Sequence, residues 1–185
     1  MISSRQRWIT RVGLIWLALL WAGGTPLWAQ TPISREYQIK AVFLFNFAQF
    51  VKWPATAFTD PDEPFRIGIL GQDPFDSFLD ETVRGEKVDG HPLVIQRYNS
   101  IEDVKNCQIL FISRSENERI KNILSGLKDR SILTVGDSPG FIKSGGVVLF
   151  STEENKIHLR INLAAAENAN LSISSKVLRQ VHRRT

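Results

Sequence analysis

Only one cysteine, Cys107, occurs in the 185 residues. No intramolecular disulfide can form, so a packed core must hold the fold. The three histidines, His91, His158 and His182, stand far apart. None has a second metal ligand at helical or strand spacing, so no zinc site is indicated. The sequence has no G-x-G-x-x-G phosphate loop, no internal repeat and no low-complexity tract. It also has no apolar run of the roughly 20 residues that a membrane-crossing helix requires.

Acidic residues are missing from the first 29 positions, whereas Arg5, Arg7 and Arg11 are there. Val12 to Trp21 follows as a short apolar run, broken by Gly23, Gly24 and Pro26, and Leu27-Trp28-Ala29 precedes Gln30. This order is that of a secretory signal peptide, with cleavage expected after Ala29. Residues 1–29 are therefore expected to be a leader and residues 30–185 one domain. Without the leader the chain carries 20 basic and 19 acidic residues. The formal charge of +4 therefore says nothing for nucleic acid, which needs a basic patch on the folded domain.

The sequence predicts helix from Ser34 to Trp53, stopped by Pro54. Strands are expected over Phe65–Gly71, His91–Tyr98, Cys107–Ser113 and Ser131–Val135. Helices are expected over Asp73–Arg84 and Glu116–Leu127, with a short turn over Ser100–Lys105. Apolar strands alternating with helices predict right-handed βαβ units and a mostly parallel sheet covered on both faces. Gly145–Ser151 and Lys156–Asn162 should form an antiparallel edge hairpin around Thr152–Asn155, since Ile157, Leu159 and Ile161 alternate with polar residues. Helices over Leu163–Ala169 and Ser174–His182 should close the chain, with Asn170 as a left-handed residue between them. The expected fold class is a three-layer α/β domain.

Gly136-Asp137-Ser138-Pro139-Gly140 matches the G-x-S-x-G nucleophile elbow. However, the residue after the nucleophile must lend its N–H to an oxyanion hole, and Pro139 has none. A turn is the expected reading. Ser174-Ser175-Lys176 falls where a helix begins, and serine is favoured there as a cap. Cys107 starts an apolar strand and is expected to be buried; an intermolecular disulfide is the alternative. In the first helix, Ile39, Phe43, Leu44, Phe47, Ala48, Phe50 and Val51 share one broad face. Gln38, Asn46, Gln49 and Lys52 form the opposite stripe, interrupted by Val42 and Phe45. That apolar pair marks a candidate partner-binding patch of Val42, Phe45 and Gln49.

Several strings in this order resemble the YfiR-like family of periplasmic proteins. They are Lys40 to Ala48 with Trp53-Pro54, Ile67 to Gly71 with Asp73-Pro74-Phe75, Cys107 to Ile112, Leu133 to Asp137 with Gly140-Phe141, Gly145-Gly146-Val147, and Ile161-Asn162 with Ala165-Ala166, ending with Leu171 to Leu178. The resemblance covers roughly Tyr37 to Val181. It implies a non-catalytic periplasmic regulator that binds the periplasmic domain of an inner-membrane diguanylate cyclase or sensor kinase. It would thereby lower cyclic di-GMP and affect biofilm regulation, with an outer-membrane-associated lipoprotein relieving the block. It implies no cofactor, and it leaves a homodimer open. Family members can carry paired redox-sensitive cysteines, but here Cys107 stands alone. Two other functions remain open on the residues themselves. One is a sensor holding a small ligand at the carboxyl ends of the parallel strands. The other is a hydrolase using Ser138 or Ser174.

Overall fold

A computed structural model describes residues 34–154 and 156–177. The expected leader and the end of the last expected helix lie outside the described residues. Helix α1 (Arg35–Phe50) crosses the sheet and is followed by β1 (Val51–Lys52). The chain then runs through β2 (Phe65–Leu70), α2 (Ser77–Val83), β3 (Lys87–Val88), β4 (His91–Tyr98) and β5 (Ile109–Ile112). Next come α3 (Ile120–Gly126), β6 (Leu133–Gly136), β7 (Val148–Glu153), β8 (Lys156–Ile161), α4 (Leu163–Asn168) and β9 (Ser172–Ile173).

The main sheet has the order β3-β4-β2-β5-β6-β7-β8, and β4 through β7 are all parallel. This is the expected mostly parallel sheet with its antiparallel β7–β8 hairpin at one edge. Two features go beyond the expectation. The short strand β3 adds an antiparallel pair at the other edge. A separate two-stranded ribbon joins β1 to β9. Strands β2, β5 and β6 are buried along almost their whole length, because helices or loops cover both faces. One core gathers Leu44, Phe47, Ile67, Phe111, Phe150 and Leu159 on the α1 side. The other gathers Leu110, Ile112, Ile123, Leu124 and Phe141 on the α3 side.

Several boundaries differ from the sequence expectation: β5 and β6 each start two residues later than expected, and β7 runs Val148–Glu153, so Thr152 and Glu153, expected in the hairpin loop, belong to the strand. Helix α1 ends at Phe50 instead of Trp53, because Val51 and Lys52 pair with Ile173 and Ser172. Pro54 holds Trp53 extended, and its indole Nε1 donates to the Gln108 carbonyl at 3.1 Å. Helix α2 starts at Ser77, not Asp73. The Asp73 carboxylate accepts the Phe75 N–H at 2.7 Å, which closes a local turn, and Asp76 then sits at φ 50°. The segment Arg114–Arg119 is a 3₁₀ turn that precedes α3. Asn170 has φ 55°, as its position after α4 predicts. Its N–H donates to the Glu167 carbonyl, and the Leu171 N–H donates to that of Ala166, completing a Schellman cap.

Candidate functional site

Two features of α1 define the candidate site: an outward apolar face and a buried charged anchor on the opposite side. On the outer face Ile39 is 39% and Val42 44% exposed, and Gln49 is exposed. Gln49 Nε2 donates to the Lys87 carbonyl at 3.4 Å. Phe45 is half-buried and leans on the core, so it belongs to both surfaces. The helical phase is rotated relative to the sequence expectation. Ile39 was expected to be buried but faces out, and the fully buried positions are Lys40, Ala41, Leu44, Phe47 and Ala48. Phe43 and Phe50 pack as half-buried rims, with Phe43 against Phe150.

Lys40 is the site residue that sequence reasoning missed. It is fully buried and donates to Asp137 Oδ2 at 2.7 Å. Asp137, at the carboxyl end of β6, also accepts the Tyr37 hydroxyl at 2.9 Å and lies 3.3 Å from Arg114 Nε. Glu36 completes the cluster at 2.5 Å from Lys40 Nζ and accepts the Thr152 hydroxyl at 3.0 Å. Burial would push the Glu36 carboxyl up, but the Lys40 ammonium bonded to it holds it below the ordinary value. Burial and the Asp137 charge push the Tyr37 phenol well above its ordinary value, so it stays a donor. A signal was available, since Lys40 stands at i−4 and i−7 from Leu44 and Phe47, in the middle of the inward seam.

This cluster fills the carboxyl ends of β5 and β6, where the sensor reading would have placed a ligand. A cavity of about 690 Å³ lies instead at the amino ends of β6 and β7, between Leu127, Ile132, Thr134, Val147, Asn162 and Ala165. Ser138 Oγ and Ser174 Oγ are buried and bond to nothing among the described residues, so no base addresses either hydroxyl. The loop after Gly136 turns back into β7 without a helix, as a turn reading of the G-x-S-x-G string requires. Among the described residues no three His, Cys, Asp or Glu side chains form a metal-binding group. None of the described helices is long and apolar enough to cross a membrane.

Cys107 is 4% exposed and packs beside Gly68 and Tyr98. Burial pushes its thiol up to about 12. The folded value lies above that of an unfolded thiol, so the neutral form is kept on folding, and stability falls as pH rises above about 9, where an unfolded thiol ionises. We expect a thiol reagent at pH 8 to label Cys107 only after urea unfolding. Stoichiometric labelling of the native protein would contradict this burial.

The sequence matches the YfiR/HmsC-like family over residues 37–180. Among solved structures, a conserved domain protein from Vibrio cholerae O1 biovar El Tor is similar at 15% identity and a TM-score of 0.43. The match covers 62% of this chain and about half, 53%, of that one. No curated protein matches the sequence.

Proposed function

The chain belongs to the YfiR/HmsC-like family, and from that premise we propose that it is a non-catalytic periplasmic regulator of cyclic di-GMP signalling. It represses an inner-membrane diguanylate cyclase by binding the periplasmic domain of that enzyme through the outer face of α1. The signal-peptide character of residues 1–29 supports the compartment. The observation that carries the reading is the exposure of Ile39 and Val42 on a helix whose opposite side is locked by a buried ion pair. A rigid helix presenting apolar anchors within a polar rim has the form of an interface hot spot.

Val42→Asp is the clean test, because Val42 is exposed while Phe45 also packs into the core. The variant should fold with stability unchanged within about 0.5 kcal/mol, as for an ordinary surface change. Binding to the periplasmic domain of the cyclase should weaken by about 2 kcal/mol, roughly thirtyfold. Cells lacking the protein should contain more cyclic di-GMP, and wild type, but not Val42→Asp, should restore the lower level. If deletion leaves cyclic di-GMP unchanged, the repressor reading is wrong. If Val42→Asp represses fully, the interface lies away from α1. A second reading is a sensor of a small ligand, which would then enter the cleft at the amino ends of β6 and β7.

A further inference from the structure

The two edges of the main sheet are treated very differently. Strand β3, at one edge, is only two residues long and carries Lys87. Short, charged edge strands are a standard protection against unwanted pairing. Strand β8, at the other edge, is six residues long, has no proline and keeps unbroken register with β7 from Val148↔Ile161 to Glu153↔Lys156. Among the described residues nothing pairs with its outer side.

The register fixes which backbone groups are free. The Asn162 N–H donates to the Val147 carbonyl at 2.8 Å, and antiparallel ladders alternate bonded and non-bonded pairs. The N–H and C=O groups of His158 and Arg160 therefore turn toward β7. Those of Ile157, Leu159 and Ile161 turn outward. The side chains alternate too: Ile157 and Leu159 enter the core on the α1 side, while Lys156, His158 and Arg160 occupy the other face. Lys156 and Arg160 are exposed, and neither has a carboxylate within ion-pair distance among the described residues.

This geometry discriminates between occupants. In a two-fold antiparallel pairing of β8 with itself through these free groups, even-numbered residues must face even-numbered residues. The face that carries Lys156 and Arg160 in one copy would then meet the same face of the other, and like charges directly opposite are destabilising. A strand with acidic residues at alternate positions places opposite charges there instead, and its intervening apolar residues extend the core layer beside Ile157, Leu159 and Ile161. We propose that the outer edge of β8 receives an extended segment of a protein partner that carries acidic side chains at alternate positions. This surface is separate from the outer face of α1 and does not depend on that assignment.

The test uses the full chain with a labelled, end-blocked peptide of four valine–glutamate repeats, and four valine–lysine repeats as its counterpart. We expect the glutamate peptide to bind about tenfold more tightly at low salt, the sum of a few exposed charge pairs. Amide exchange should slow at Ile157, Leu159 and Ile161. The variant K156E/R160E changes only exposed side chains and should reverse the preference toward the lysine peptide, with an unchanged circular dichroism spectrum. Val42→Asp should bind the glutamate peptide like wild type, which separates this edge from the α1 interface. Equal affinity for the two peptides, binding of neither, or protection at other amides would overturn the proposal. So would a homodimer whose protection falls on the same three amides.

Discussion

Lys40→Met and Asp137→Leu, made singly, should each destabilise the protein by about 3–5 kcal/mol, because each breaks the fully buried Lys40–Asp137 pair by removing one partner. Both side chains are fully buried, so water cannot take the place of the lost partner. The double variant should cost much less than the sum of the singles, since two apolar groups of similar size then fill a dry site. Urea denaturation would read this as a lower midpoint at constant slope for the singles and partial recovery in the double. For a chain of this size, the single changes correspond to a fall in melting temperature of about 6–20 °C. Glu36 is 30% exposed and closes the cluster from the solvent side. Glu36→Gln should therefore be mild, within the range of partly exposed pairs. If Lys40→Met is neutral, the ammonium is reaching water past Glu36 and α1 is not anchored as described.

The contrast between what was and was not legible in the sequence runs through the same helix. Apolar runs such as Phe65–Leu70 and Ile109–Ile112 announced strands buried on both faces, because only a parallel sheet with helices on each side accommodates them. His91–Tyr98 matched residue for residue, and Asn170 matched in conformation, since both depend on local pattern. The end of α1 was not legible. Val51 leaves the helix to pair with Ile173, a partner 122 positions along the chain. No local preference encodes such a contact. The inward phase of Lys40 was legible, but its partner was not: burying a lysine becomes tolerable only when a carboxylate meets it, and Asp137 lies 97 residues away. The exposure of Val42 followed from periodicity alone. The divided position of Phe45 did not, because a large ring at the edge of a helical face can fold back over the core.

Phe141→Ala should cost about 3–5 kcal/mol, the range for truncating a fully buried phenylalanine. Phe141 is 0% exposed, and its ring lies over two glycines that flank it in the chain. A Cβ added at Gly136 would meet the ring at 2.5 Å, and one added at Gly146 would overlap it more deeply. Gly146→Ala is therefore expected to destabilise by about 1–3 kcal/mol or more through overpacking. Adding Phe141→Leu to Gly146→Ala should recover part of that loss, since the two changes act on one contact. Gly140 serves a different need, because its φ of 80° suits a residue without a side chain. The glycines of the G-x-S-x-G string thus have structural duties: Gly136 seats a ring and Gly140 makes a turn. Ser138 supplies the opposite expectation. Its hydroxyl is buried with no partner among the described residues, so Ser138→Ala should be neutral or stabilising by about 1 kcal/mol. A nucleophile would be marked instead by Ser138→Ala abolishing turnover. Thermal unfolding of Ser138→Ala, Phe141→Ala and Gly146→Ala therefore decides whether this loop is a packing device. A marked loss of stability in Ser138→Ala would mean that its hydroxyl has a partner, and none in Gly146→Ala would mean that the ring does not sit where these contacts place it.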